Sequence, residues 1–222
     1  MTRNFRTTYY KTLGVPVVQH VVDVEASYHA LFDESVVNLE QLRKLALEVG
    51  IPSVYRPLAW KLLCGVLPSQ QSLWEFAEQE RQHMYEDVVD AAAVLQLPER
   101  VEITVGHGTD EEMVHEEAAS SQQAMIELYV TYRYEIHRQK RLRLVKDLDA
   151  LKRVVVVLQA VLEANEMEQF WCLVRIVDLL DETVDVVDHA ALFLDSTYEI
   201  SAVQLEGHFI RALDHHKSAH RP

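Results

Sequence analysis

From Glu99 to Arg221 the chain contains no proline. Proline removes a backbone donor and clashes with the preceding turn, so its absence leaves that whole run open to helix. Only six glycines occur in 222 residues, while Leu, Val, Ala, Glu and Gln are abundant. This balance predicts an all-α protein. The length suits one domain with a substantial core, or two small ones.

Charge and cysteine usage narrow the class. The formal net charge of −14 argues against an indiscriminate binder of nucleic acid or anionic membrane. Cys64 and Cys172 both sit in apolar helical contexts, which fits buried free thiols in a reducing compartment. No charged-then-apolar leader opens the sequence, and no apolar run approaches the roughly 20 residues of a membrane span. The reading is a soluble cytoplasmic protein.

The most informative stretch is Gly50–Pro68, GIPSVYRPLAWKLLCGVLP. Gly50 and Pro52 read as a helix stop, Ser53 as a new N-cap, and Gly65 with Pro68 as the next stop. Arg56 and Trp60 are four residues apart and therefore share one helix face, which Leu63 and Leu67 continue. Pro57 is compatible with helix only in the first turn. Residue chemistry alone makes Trp60 a core anchor, with Arg56 stacked on it or paired to an acid.

Elsewhere the pattern is helical throughout. Phe5, Tyr9 and Leu13 share a face, and Gly14 with Pro16 ends their segment. His20–Phe32 is expected to form a helix with Val21, Val24 and Tyr28 or Leu31 inward. Asp33 or Ser35 would cap Val36–Val49, whose Leu39, Leu42, Ala46 and Val49 make an apolar stripe. Ser72 would cap Leu73–Leu97, with Leu73, Phe76, Ala77, Met84, Val88, Ala91 and Leu95 as its inner face. Glu99–Gly108 reads as loop, and the five acids of Asp110–Glu117 suit the positive end of a following helix. Ser121–Val145 would place Met125, Leu128, Tyr132, Ile136 and Leu142 inward. The β-branched run Val154–Val157 is assigned to a buried helix. Glu166–His189 carries the strongest stripe, Met167, Phe170, Trp171, Val174, Val177, Leu180, Val184 and Val187. Ala190–Ala212 continues as weaker helix with a break near Gly207, before a polar tail. No repeat or low-complexity tract appears.

The R-x-x-x-W of Arg56 and Trp60, with its apolar run and Gly65, resembles the opening signature of TBC domains, the helical domains that activate Rab-type GTPases. RNFRTTYYKTLGV at Arg3–Val15, the long helix with Tyr85, Asp87 and Val88, and EQFWCLVRIVD at Glu168–Asp178 add to the likeness. It is good over about residues 3–97, patchy in the middle, and returns at EQFW. The resemblance implies an all-α TBC-like domain at 36–212, with an acidic loop at about 98–117. A helical extension at 1–35 would precede it and a polar tail at 213–222 follow it. It also makes Arg56, Trp60, Gly65, Glu168, Phe170 and Trp171 framework residues. A TBC domain beginning near residue 50 would run past Pro222, so the chain looks short. Part of the Met167–Val187 stripe would then lack its usual cover.

Catalytic TBC domains supply an arginine and a glutamine in trans, one neutralising charge on the transferring phosphoryl group and one orienting water. Neither the I-x-x-D-x-x-R nor the Y-x-Q stretch is present. Arg133 follows Ile126 one residue too late, with Tyr129 in place of the aspartate. The segment before EQFW is VVVVLQAVLEANEM where the family has Gly-Tyr-x-Gln-Gly-Met. The resemblance therefore implies a non-catalytic TBC subunit, like that of the tuberous sclerosis complex. Such a subunit binds the hamartin coiled coil, and tuberin through it, and acts at lysosomal or vesicle surfaces through those partners. The competing reading is a Rab GTPase activator that uses Arg133 or Arg138.

Three further features invite chemistry. Arg133–Lys146 holds six Lys or Arg against one Glu, so Arg133, Arg138, Lys140, Arg141 and Arg143 form a candidate basic docking patch, or simply a solvated face. Glu80/His83 and Glu112/His115 are E-x-x-H pairs of the di-iron bundle type, but neither lies on an apolar inner face. His215, His216 and His220 offer adventitious metal binding at the tail. Phosphate-loop, hydrolase-elbow and paired C-x-x-C motifs are missing from the sequence. No catalytic residue, cofactor or metal is assigned.

Overall fold

The computed structural model describes residues 24–95, 110–136, 150–163, 165–187, 189 and 200–219. Among them the chain is helical: α1 (Val24–Phe32), α2 (Leu39–Val49), α3 (Arg56–Leu63), α4 (Trp74–Leu95), α5 (Asp110–Val130), α6 (Ala150–Leu162), α7 (Glu166–Glu182) and α8 (Ala202–Ala219). A 3-10 turn, Gln71–Leu73, leads into α4, and α5 widens into a π turn at Thr131–Ile136. The one extended pairing among these residues is an isolated bridge between Val36 and Gln70.

Local chemistry sets the boundaries. Asn38 starts α2, its Oδ1 accepting from the amides of Glu40 and Gln41 at 3.1 and 3.0 Å. This replaces the predicted Asp33 or Ser35 cap, because Asn38 is the residue placed to reach both amides. Gly50 ends α2 at a φ of 76°, a conformation that costs glycine nothing. Ser53 does not cap α3; Tyr55 holds that position without a side-chain bond, and Pro57 falls in the first turn. Asn165 caps α7 through the Glu168 amide at 3.1 Å, with Glu166 and Glu168 in the positive first turn.

The centre of the fold is α7. It packs against α3, α4, α5, α6 and α8, and every residue from Met167 to Leu173 is buried, as are Ile176, Val177, Leu179 and Leu180, while Val174, Arg175, Asp178 and Asp181 are half-buried. The sequence suggested an amphipathic helix with one covered stripe. The structure surrounds it instead, and Met167, Phe170, Trp171, Val177 and Leu180 are all buried. These five residues of the Met167–Val187 stripe are covered, whereas Val174, Val184 and Val187 are half-buried.

Other expectations shift as well. Helix α8 runs unbroken through Gly207 and reaches into the predicted polar tail. Helix α5 begins at Asp110, so the acidic run Asp110–Glu117 opens it as expected and the span of about 98–117 given to the acidic loop is too long at its end. Val154, Val155 and Val157 of α6 are buried as predicted, with Val156 on the outer side. Tyr28 and Leu31 of α1 and Leu42 and Ala46 of α2 are inward, but Val49 is exposed while Arg43 is buried and ion-paired to Asp214 at 3.3 Å. The predicted helix around Phe5, Tyr9 and Leu13, and Val21, lie outside the described residues.

Candidate functional site

Arg56 and Trp60, one turn apart on α3, converge on a single carboxylate. Glu206 of α8 is 3% exposed. Its Oε2 accepts from Arg56 Nε at 3.0 Å and from Trp60 Nε1 at 3.1 Å, and its Oε1 accepts from the Ile51 amide at 3.1 Å. Arg56 reaches further, donating to the Ile51 carbonyl at 2.7 Å. The Trp60 indole meets Phe209 edge-on with centroids 5.3 Å apart. A buried charge is tolerable when paired and fully hydrogen-bonded, which this arrangement achieves. Beside it Tyr28 donates to the Gly50 carbonyl at 3.0 Å. Burial raises its phenol well above the ordinary value, with the Glu206 charge adding and Arg56 opposing.

The second framework motif ties α7 to its neighbours. Glu168 Oε1 lies 2.7 Å from Lys61 Nζ of α3, with Glu78 of α4 at 3.7 Å on the other side. Phe170 packs against Tyr85 and Tyr132 with centroids 5.5 and 5.4 Å apart. Trp171 donates to the Arg81 carbonyl at 3.1 Å, and the Arg81 guanidinium stacks over the same indole at 5.2 Å. Arg81 also donates to the carbonyl of Gly65, at 3.1 Å, where Gly65 closes α3 at a φ of 72°. Burial and Glu166 push the Tyr85 phenol up to about 12. All six framework residues thus join helices to one another; none presents a reactive group to an open cleft.

Arg133 does not belong to a solvated patch. It is buried and paired with Asp178 of α7, so its guanidinium faces the core, and Asp178 is drawn partly into the packed side of its helix. Arg138, Lys140, Arg141 and Arg143 lie outside the described residues. Cys64 and Cys172 are free and buried, and the Cys172 thiol is held up by its hydrogen bond to Cys64 and by burial. Glu80 and His83 are exposed on α4, whereas the side chains of Glu112, His115 and His220 are outside the described residues. His216 pairs with Glu182 at 3.2 Å. Among the described residues no three His, Cys, Asp or Glu side chains gather around a common point.

The outer side of α4 carries what the sequence misplaced. Leu73, Phe76, Met84 and Leu95, assigned inward by periodicity, are 44%, 62%, 45% and 49% exposed, and Val94 beside them is 82% exposed. The buried side is rotated by roughly a quarter turn, on 3.6 residues per turn, and presents Trp74, Arg81, Tyr85 and Ala92 together with Val88, which periodicity also placed inward. Tyr85 against Phe170 and Arg81 over Trp171 fix that rotation. Glu80 and Asp87 stand among the outward apolar residues. The result is an apolar stripe with acids set in it, running along the longest described helix.

A TBC1 domain family member 7 from Xenopus tropicalis is 32% identical over 93 residues, 42% of this chain and 30% of that protein. The Homo sapiens protein of that name is 30% identical over 95 residues, 43% of this chain and 31% of its own. Over that stretch the chain resembles TBC1 domain family member 7. The matched stretch spans less than a third of either relative's length. A solved structure of the Ypt/Rab-GAP domain of Gyp1p aligns over 88% of this chain and 56% of its own, at 16% identity and a TM-score of 0.39. No family model matches. No described helix is long and apolar enough to cross a membrane.

Proposed function

We propose that the chain is a non-catalytic TBC-type subunit that binds the coiled-coil end of hamartin and helps hold the tuberous sclerosis complex together. In that role it supports inactivation of the GTPase Rheb by tuberin and restrains mTOR signalling. The observation that carries the reading is the outward stripe of α4. Phe76, Met84, Val94 and Leu95 lie on one exposed face of α4, continued by Leu73 in the turn before it, and an exposed apolar helix face is the kind of surface an amphipathic partner helix packs on. Glu80 and Asp87 favour a partner whose own apolar seam is flanked by Lys or Arg. The choice of hamartin as that partner rests on the resemblance to the TBC subunit of the tuberous sclerosis complex. A Rab GTPase activator acting through Arg133 is disfavoured, because that guanidinium is committed to Asp178.

Calorimetric titration of the purified chain with a hamartin C-terminal coiled-coil peptide tests the proposal. One-site binding is expected, lost in the double variant Phe76→Asp/Met84→Asp while the helical circular dichroism and melting curve stay unchanged. No binding by the folded wild-type chain overturns it.

A further inference from the structure

Between α1 and α2 the segment Ser35–Val37 makes the one β-type contact among the described residues. The Val37 amide donates to the Ser69 carbonyl at 2.8 Å, and the Gln71 amide donates to the Ser35 carbonyl at 3.0 Å. In an antiparallel pair, two bonds placed so leave the residue between them with its own N–H and C=O turned to the other edge. That residue is Val36, and neither of its main-chain groups finds a partner among the described residues. The segment is fixed from behind. Gln71 Nε2 donates to the carbonyls of Phe32 at 2.5 Å and Glu34 at 2.8 Å, and Val37 is buried beneath while Val36 is 55% exposed. Beside Val36 opens a cleft of about 540 Å³, lined by Ala30 and Leu31 of α1, Gln41 of α2, and Glu34, Val36 and Asn38 of the connecting segment.

An open main-chain donor and acceptor on a fixed edge is what a further strand adds to. A helix cannot serve, because its own amides and carbonyls are spent within it. We propose that Ser35–Val37 captures an extended peptide segment of a partner protein by antiparallel strand addition, with side chains of that segment entering the cleft. One residue of the peptide exchanges both main-chain bonds with Val36, and a β-branched side chain there packs beside the Val36 side chain. Antiparallel order sets the peptide residue two places later against Glu34 and the residue two places earlier against Asn38. Glu34 carries the one charge of the lining, so the later position takes Lys or Arg. The recognised pattern is Thr-x-Val-x-Lys, read from N- to C-terminus, at a surface that uses no residue of the α4 stripe.

The test is fluorescence anisotropy of the full chain with a labelled peptide, Ser-Thr-Ser-Val-Ser-Lys-Ser. Saturable one-site binding in the sub-millimolar range is expected. Methylating the main-chain nitrogen of the peptide valine removes the donor to the Val36 carbonyl and should weaken binding by about tenfold. Replacing the peptide lysine by glutamate should also weaken it, and Glu34→Lys in the protein should reverse that preference. Val36→Pro deletes an N–H that the fold does not use, so the melting curve stays and binding is lost. Should that variant fail to fold, the methylated peptide, which leaves the protein untouched, and the exposed Glu34→Lys decide. No saturation at millimolar peptide overturns the proposal, and so does binding indifferent to methylation. Sedimentation that finds dimers, dissociated by Val36→Pro, gives the edge to a second copy and overturns it too.

Discussion

Trp60 and Glu206 stand 146 residues apart in sequence and 3.1 Å apart in the fold. The indole hydrogen bond, the Arg56 ion pair and the Ile51 amide together fasten α3, and the turn that leads into it, to the last described helix. The sequence motif R-x-x-x-W is thus one half of a joint whose other half is a single carboxylate on α8.

Removing that carboxylate leaves a guanidinium and two N–H donors buried without their acceptor. Breaking a buried pair in this way costs about 3–5 kcal/mol. Glu206→Ala is therefore expected to lower the urea midpoint by a large fraction of total stability, which for a domain is only about 5–15 kcal/mol. Arg56→Lys keeps the charge but cannot serve Glu206 and the Ile51 carbonyl together, and should cost less. A Glu206→Ala midpoint indistinguishable from wild type would show that this joint is not structural.

Tyr85 predicts an alkaline limit to stability. Its phenol is pushed up to about 12 in the folded chain, by burial first and by Glu166 second, against about 10 in an unfolded one. Between those values the native state binds more protons than the unfolded state, so stability is full below pH 10 and declines as pH rises toward 12. Urea midpoints measured from pH 8 to 11 should fall, and the fall should be shallower in Tyr85→Phe. An identical slope in the variant would assign the decline to other groups, Tyr28 first among them.

The thiols give a kinetic test. Cys64 and Cys172 are both free and buried, and for Cys172 the thiolate, the reactive form, is disfavoured by a hydrogen bond to Cys64 and by burial. Ellman's reagent at pH 8 should label neither at an appreciable rate in the folded chain. Both should react at once in denaturant, where the two cysteines of the sequence are accessible. Rapid labelling of the native protein would place at least one thiol at the surface.

How far the sequence carried is clearest at three places. The Arg56/Trp60 pair was legible because both partners of the motif lie within one helical turn and proline, glycine and tryptophan punctuate it. Glu206 was not legible: a glutamate in a polar-rich helix is ordinarily solvated, and only the tertiary arrival of α8 at α3 makes it the acceptor. The rotation of α4 was misread for a related reason. Its apolar residues spread over more than half the circumference, so periodicity alone favours Leu73, Phe76, Met84 and Leu95. The aromatic and guanidinium contacts of Tyr85 and Arg81 with α7 select the neighbouring face. Helix α7 reads as amphipathic only when its acids are counted as solvated, whereas Glu168 is consumed by Lys61 and Asp178 by Arg133.

Arg133 separates a structural from a catalytic reading of the chain. An arginine finger acts from the surface, entering a GTPase site in trans and raising hydrolysis by roughly 10³–10⁵; its alanine variant folds normally and loses that acceleration. A buried arginine paired to a half-buried aspartate behaves in the opposite way. Here the guanidinium leaves the π turn after α5 and reaches Asp178 on α7, so Arg133→Ala leaves a half-buried carboxylate without its partner and should cost stability, below the about 3–5 kcal/mol of a fully buried pair. Asp178→Asn in the same background removes the stranded charge and should recover part of the loss, the signature of direct coupling between the two sites. Melting curves of the two single variants and the double variant measure this. Turnover assays with a panel of Rab GTPases, run on the same preparations, should show no Arg133-dependent acceleration. A variant of wild-type stability that lost such acceleration would return Arg133 to the catalytic role.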